Sequence, residues 1–313
     1  MTYTQDLISV VMPCFNAEAN IENSILSVLQ QTESNFELIV VDDGSNDSSL
    51  AVLKQLSLKD SRIKVFSKQN EGAGPTRNYG LKQATGEFIA FLDSDDYWDN
   101  NFLKLMKQAL EQSAASLVYC GWQNIGIEGG RGEPFIPPDY ENDHKYETFL
   151  GGCRWPIHGA LTRRTAIDSV GGFDNRLTSC MDYDLWLKIS TAYKIQLVPQ
   201  VLSFYLHHEG EQITKNKVRL AFNHWQVQKN FITEHPEVIE LLGKEKIRNL
   251  TLGELLRRGY DCYWQRDLNS ARSMFKAVML HHYGSVKDWK YMLPSILPYS
   301  LHKRLLDKMS PSS

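Results

Sequence analysis

Through its first 120 residues the chain alternates between two hydrophobic rhythms. Leu7 to Met12 is a short apolar run rich in β-branched residues, stopped by Pro13, and it predicts a strand. Ile21, Ile25, Val28 and Leu29 then fall at helical spacing. Phe36 to Val41 is a second compact run, followed by the turn-rich stretch Asp42 to Asp47, and Leu50, Leu53 and Leu56 return to the helical period. The same logic predicts strands at Ile63 to Phe66, Phe88 to Leu92 and Leu117 to Trp122. It predicts helices over Thr76 to Ala84 and around Phe102 to Leu110. Nearly continuous apolar strands alternating with amphipathic helices imply βαβ units, hence an α/β, mainly parallel, Rossmann-like sheet with helices on both faces. Ligands in such sheets bind beyond the carboxyl ends of the strands, so chemistry is expected just after each strand.

From Asn124 to Asp143 the rhythm fails amid Gly, acids and three prolines, which predicts either a loop folding over a site or a plain surface excursion. Gly171-Gly172 marks a turn, Asp182 to Tyr193 reads as a helix, and Lys194 to Val198 and Val201 to Tyr205 read as two strands. Beyond about residue 212 every apolar stretch is helical in period, giving two expected domains, 1–211 and a helical 212–313. Gly253, Tyr260, Ala271 and Phe275 faintly echo a tetratricopeptide helix pair, but one imperfect unit favours an ordinary helical bundle.

Composition narrows the partners. The 313 residues are 42% hydrophobic, enough for a full core. The 34 Lys plus Arg against 37 Asp plus Glu leave a net charge of −3, which argues against nucleic acid as a partner. No apolar run approaches the ~18 residues of a membrane span, and Met1 to Asp6 lacks the basic and apolar regions of a signal peptide. Five widely spaced cysteines form neither a disulfide framework nor a metal knuckle, a pattern that suits a reducing, cytoplasmic setting.

Acidic clusters stand where the sheet should end. Asp42-Asp43 follows the second strand, Asp93-Ser94-Asp95-Asp96 the fourth, and Asp182-Tyr183-Asp184 opens a helix. Helix capping accounts for a single carboxylate such as Asp47. Three acids in four residues exceed that need, and hard oxygen donors in this number suit Mg²⁺ or Mn²⁺ completed by water and phosphate.

These segments resemble family 2 glycosyltransferases of the GT-A fold. Ile8-Ser9-Val10-Val11-Met12-Pro13-Cys14-Phe15-Asn16 is similar to that family's opening strand, and Glu37 to Ser45 and Gly86 to Asp96 to its second and fourth. Gly171-Gly172-Phe173-Asp174, followed by Asp182-Tyr183-Asp184-Leu185-Trp186-Leu187-Lys188, resembles its acceptor-side signature. The resemblance covers roughly residues 6–210 and implies an inverting transfer from a nucleotide-diphosphate sugar, a UDP-sugar by preference, to a hydroxyl of a glycan or lipid-linked acceptor. It puts Pro13, Phe15 and Glu18 at the nucleotide, Asp43 on the uracil N3–H, and Arg77 beside the nucleotide unless it is a solvated helix arginine. Asp93 and Asp95 become the DxD motif, with Asp95 as metal ligand and Asp93 as ribose or outer partner, and Asp182 the general base. Physically, one carboxylate must take the acceptor's proton while a cation absorbs charge on the departing diphosphate.

One position departs from the family: Met181 stands where a glutamate usually precedes the base. A register shifted by two would make Asp184 the base instead, and a lost base environment would leave a non-catalytic sugar-nucleotide-binding or assembly protein. Trp155 and His158 can line an acceptor site or belong to the core; His207-His208 can reach the metal or phosphate or lie on the surface. Gly72 and Gly74 hint at a phosphate cradle, but no P-loop pattern follows. Finally, Lys287 to Lys308 interleaves aromatics with bases, a composition that seats a segment peripherally at the inner face of a membrane or packs it on the helical region; Pro294 and Pro298 interrupt it.

Overall fold

The computed structural model describes residues 3–127, 130–152, 155–207, 216–302 and 304. It divides into two compact units, one of residues 1–145 and 153–210, the other of residues 146–152 and 211–313.

The first unit is built on β1 (Thr4–Cys14), α1 (Ile21–Leu29), β2 (Phe36–Asp42), α2 (Ser49–Lys59), β3 (Ile63–Ser67), α3 (Ala73–Gln83) and β4 (Gly86–Phe91). It continues through β5 (Tyr97–Trp98), α4 (Phe102–Glu111), β6 (Leu117–Ile127) and β7 (Gly130–Arg131). After α5 (Lys145–Leu150), most of which belongs to the second unit, come β8 (Ala160–Arg163), α6 (Arg164–Ser169), α7 (Met181–Ala192) and β9 (Ile195–Leu206). The sheet order is β3-β2-β1-β4-β8-β6-β9-β5, with β7 paired to β6. The β3-β2-β1-β4 half is parallel, as the βαβ pattern requires, and β6 and β9 are also parallel. The sheet is nevertheless mixed, because β8 enters antiparallel between β4 and β6, and β5 closes the far edge antiparallel to β9.

Period-two alternation sorts the central strands into two buried faces. Ile8, Val10, Met12, Leu38, Val40, Phe88 and Ala90 pack against Ile21, Ile25 and Val28 of α1, Leu53 and Leu56 of α2, and Phe102, Leu103 and Met106 of α4. On the opposite face α3 lies against β1 and β2 so closely that a Cβ on Gly80 would stand 2.5 Å from Val11 Cγ1. Phe91 meets Phe173 edge-on at 5.0 Å and Trp186 at 6.5 Å there. Pro13 is tolerated in the central strand because the β4 pairing ends at Val11, so no ladder bond is lost on that side.

Two sequence expectations need correction. The stretch from Asn124 is not plain loop: β6 runs on to Ile127 and pairs β7, and Trp122 bridges Phe135. The two strands expected at 194–205 are one strand, β9, whose register against β6 slips between Cys120 and Trp122 and so absorbs Pro199 and Gln200. The short β5 and β8 carry too few residues to show a period.

The second unit contains α8 (Lys217–Glu234), α9 (Pro236–Leu242), α10 (Lys244–Trp264), α11 (Leu268–Leu280) and α12 (Val286–Met292). Its core joins Trp225, Leu252, Leu255, Leu256, Ala271, Met274, Phe275 and Val278. Gly259 lets α10 and α11 touch, since a Cβ there would sit 2.8 Å from the Phe275 ring. Of the expected aromatic and basic tail, Met292, Ser295 and His302 are buried, whereas Leu293, Ile296, Leu297, Tyr299 and Leu301 are exposed, as is Val286 just before it. Lys303 and residues 305–313 lie outside the described residues.

Candidate functional site

The carboxyl ends of β1 and β2 lie in register, Cys14 beside Asp42, and the loops that follow are stitched together. The amides of Asn16, Ala17 and Glu18 donate to Ser45 Oγ, Ser49 Oγ and Asp47 Oδ2 at 3.0, 2.8 and 3.1 Å. In return the amides of Asn46 and Ser48 donate to Asn16 Oδ1 and Glu18 Oε2, both at 2.8 Å. Glu18, expected at the nucleotide, thus spends a carboxylate oxygen on the start of α2. Phe15, in the same loop, is 42% exposed, and Pro13 is half-buried. Asp47 stands one residue before Ser48, the N-cap of α2, and accepts the Ser49 amide at 3.0 Å; although burial opposes this, its hydrogen bonds hold the carboxyl below the usual range.

Asp43 is buried at the end of β2. Its carboxylate accepts from Lys68 Nζ at 2.7 Å, the Glu71 amide at 3.0 Å and the Gly72 amide at 2.8 Å. Gly72, with φ +93°, and Gly74 bring the chain into α3; Gly72 serves Asp43, so the glycine pair is a turn into the helix that positions a carboxylate.

Arg77 is no solvated helix arginine. It is buried on α3, ion-paired through Nη2 with Asp93, and its Nη1 donates to Met181 Sδ at 3.3 Å. Its guanidinium also lies 5.7 Å from the centre of the Phe173 ring. One side chain therefore connects the end of β4 to the start of α7.

The acids after β4 divide their work. Asp96 is buried; its Oδ1 accepts the Leu206 amide at 2.9 Å and its Oδ2 faces His158 Nδ1 at 2.8 Å. His158 belongs to the core, and so does Trp155, stacked 4.2 Å from Tyr119. The burial of His158 opposes its charging, but Asp96, with Asp93 and Asp95 beyond, raises its pKa on balance. Asp93, paired with Arg77, and Asp95 are both only partly buried. Among the described residues no three His, Cys, Asp or Glu side chains form a cation cage. A pair of hard carboxylates instead fits a Mg²⁺- or Mn²⁺-like ion that takes its other ligands from phosphate and water.

Asp182 sits in the first turn of α7, after Cys180 in a left-handed conformation with φ 59°. Burial pushes its carboxyl pKa up, opposed by the Tyr183 amide at 2.9 Å and by Arg77, and reinforced by Asp93. Asp184, the other register option, is buried against Lys188 at 2.7 Å. Asn78 of α3 holds the glycine turn in place: its Nδ2 donates to the Phe173 carbonyl at 2.8 Å and its Oδ1 accepts the Phe173 amide at 3.0 Å. Gly172 is required there, because a Cβ would stand 2.8 Å from that Oδ1.

His207 Nε2 lies 2.8 Å from Asn124 Oδ1, and His208 is outside the described residues. Sequence reasoning missed Lys68, Asn78 and the His158–Asp96 pair. Lys68 stands one residue past β3 and Asn78 one past Arg77, positions that the strand-end rule alone could have flagged only for Lys68.

Residues 9–171 match the family described as Glycosyl transferase family 2. The chain is 34% identical over 233 residues to the Escherichia coli UDP-Glc:alpha-D-GlcNAc-diphosphoundecaprenol beta-1,3-glucosyltransferase WfgD, covering 74% of this chain and 88% of that one. Its fold is similar to S. aureus TarS 1-349 in complex with UDP-GlcNAc, with a TM-score of 0.60 at 21% identity over 92% of this chain and 90% of that one. It is also similar to the mannosyltransferase PcManGT from Pyrobaculum calidifontis in complex with GDP-Man and Mn2+, with a TM-score of 0.61 at 16% identity over 95% and 82%. From sequence match and architecture together, the chain belongs to glycosyl transferase family 2 and is a glycosyltransferase of the GT-A fold.

Proposed function

We propose that the protein is an inverting glycosyltransferase that moves a sugar from a UDP-sugar to a hydroxyl of a lipid-linked or glycan acceptor, with Asp182 as general base. The observation that carries this reading is the convergence on α3: its entry amide holds Asp43, and Arg77 joins Asp93 to the start of the helix bearing Asp182. Donor, diphosphate and acceptor functions thereby meet at one end of the sheet, where such sheets bind ligands. Asp43 accepts from the base, Phe15 and Pro13 flank it, and Glu18 acts by fixing their loop to α2. The raised carboxyl of Asp182 suits a base, because a more basic carboxylate takes a hydroxyl proton more readily.

The acceptor oxygen forms its bond to the anomeric carbon as the bond to the diphosphate oxygen breaks. The electron pair leaves with the nucleotide and the hydroxyl proton goes to Asp182. A divalent cation held by Asp95, with Asp93 beside it, would absorb charge on the leaving diphosphate. Arg77 supplies a fixed positive charge at the same place. Of the two register options Asp182 is the base, since Asp184 is neutralised by Lys188. WfgD is named for a UDP-Glc donor and a diphosphoundecaprenol-linked acceptor, which favours the lipid-linked class. The exposed Val286, Leu293, Ile296 and Leu297, near Lys287 and Lys290, would meet the membrane carrying it. Among the described residues no helix is long and apolar enough to cross a membrane.

Thermal unfolding against UDP, GDP and dTDP, with and without Mn²⁺, tests the reading. Nucleotide at about 100 times its Kd stabilises by about 2.7 kcal/mol. The expected result is a UDP shift that needs Mn²⁺ and vanishes in Asp95→Asn. No shift with any nucleotide would refute the donor site.

A further inference from the structure

Asp43 enters the site with its acceptor capacity nearly used up by the protein itself. A carboxylate offers about four lone-pair directions, two on each oxygen. Oδ1 takes the Lys68 ammonium at 2.7 Å and the Glu71 amide at 3.0 Å, and Oδ2 takes the Gly72 amide at 2.8 Å. One direction, on Oδ2, remains open. Lys68 is itself held, donating to the Gln69 carbonyl at 2.8 Å and pairing with Glu71 at 2.8 Å. Residue 44 fixes the distance between this loop and β2. A Cβ on Gly44 would come within 3.1 Å of the Asn70 nitrogen and 3.2 Å of the Lys68 carbonyl oxygen, so the loop rests directly on its backbone.

We propose that Lys68 is a specificity-determining positioning residue: together with the Glu71 and Gly72 amides it leaves Asp43 a single open lone pair, and this selects a uridine or thymidine diphosphate donor over a guanosine one. The selectivity rests on Asp43 meeting the base, the role proposed above. Uracil and thymine present one ring N–H between two carbonyl oxygens, and a single acceptor satisfies it. Guanine presents two adjacent donors, N1–H and N2–H, and needs both oxygens of a carboxylate turned toward it. With Oδ1 committed to Lys68 and Glu71, the second guanine donor is desolvated without a partner, and leaving a buried donor unpaired costs more than the pairing of its neighbour returns. Specificity here comes from withholding an acceptor.

An ordinary salt bridge that merely neutralises a buried carboxylate would make a different prediction. Removing it would weaken every nucleotide equally. Calorimetric titration of the full chain with UDP, dTDP and GDP in Mn²⁺ separates the two. The wild type is expected to bind UDP and dTDP at least about tenfold tighter than GDP, about 1.4 kcal/mol. In Lys68→Met, Oδ1 regains a lone pair, UDP weakens, GDP does not, and the ratio falls about tenfold toward unity. Lys68→Gln, which keeps a neutral donor, is expected to fall between them, and it stands in if Lys68→Met does not fold. Equal binding of UDP and GDP by the wild type overturns the proposal, and so does a parallel loss of both in either variant. Binding of none of the three by the wild type would instead remove the donor site itself, and this proposal with it.

Discussion

Replacing His158 by Phe tests the support beneath the acidic turn after β4. His158 and Asp96 face each other at 2.8 Å with about 1% of each side chain exposed, so water cannot take over when one partner is lost. Removing one member of a buried pair leaves an uncompensated charge, which costs about 3–5 kcal/mol. For a folding unit of this size each kcal/mol moves Tm by about 2–4 °C, so His158→Phe should lower the unfolding temperature by about 6–20 °C. Asp96→Asn should cost a similar amount, although the amide oxygen can still accept the Leu206 N–H that Asp96 binds at 2.9 Å. The double variant carries no buried charge and should be more stable than the sum of the two losses predicts, by at least about 1 kcal/mol. Thermal unfolding followed by near-ultraviolet circular dichroism, with a chelator present, measures all three. Strict additivity, or a His158→Phe loss below about 1 kcal/mol, would show that the pair is not coupled and that the turn is held by its backbone alone.

Asp182→Asn should abolish turnover while leaving UDP affinity within about twofold, and because burial raises the Asp182 carboxyl, the acid limb of kcat/KM in the wild type should lie above the usual carboxylate pKa of about 4, as read from a pH–rate profile. Met181→Glu puts a carboxylate beside Arg77 and next to Asp182; both effects favour the protonated base, so that acid limb should move up by about one pH unit, and an unmoved limb would show that residue 181 does not sense the base. His224 in the second unit is buried, with Arg258 and Arg257 adding to the effect, and its pKa falls from 6.5 to about 4. A depressed histidine contributes stability that is full above about pH 6.5 and is lost as pH falls through about 4. Across that window urea unfolding of the wild type should therefore lose about 3 kcal/mol more than that of His224→Gln.

The parallel half of the sheet could be read from the chain because each strand is buried on both faces and each helix on one, so both periods are strong in Leu7 to Met12, Phe36 to Val41 and Ile21 to Leu29. The bulged β9 was read as two strands since Pro199 and Gln200 interrupt its apolar run, and only pairing with β6 shows that the strand continues. At the site, residue type drew attention to Asp43 and Asp93 after strands and to Asp182 in the first turn of α7, because such acids have few other reasons to cluster. What stayed hidden depends on distant partners. Asp96 looks like its neighbours Asp93 and Asp95 in sequence, and only the fold brings His158 against it, 62 positions later. Resemblance places Arg77 beside the nucleotide, but its partners Asp93 and Met181 show only when α3 is laid on the sheet.

The close seat of α3 has an evolutionary corollary. Arg77 reaches Asp93 because the backbone at Gly80 rests on Val11, with no room for even one more carbon. Residues 11 and 80 therefore share one volume allowance between β1 and α3, though they are far apart in the chain. Relatives that carry alanine at the position of Gly80 should carry a smaller side chain opposite it, and size covariation between these two columns would register how tightly the helix must lie for its arginine to arrive.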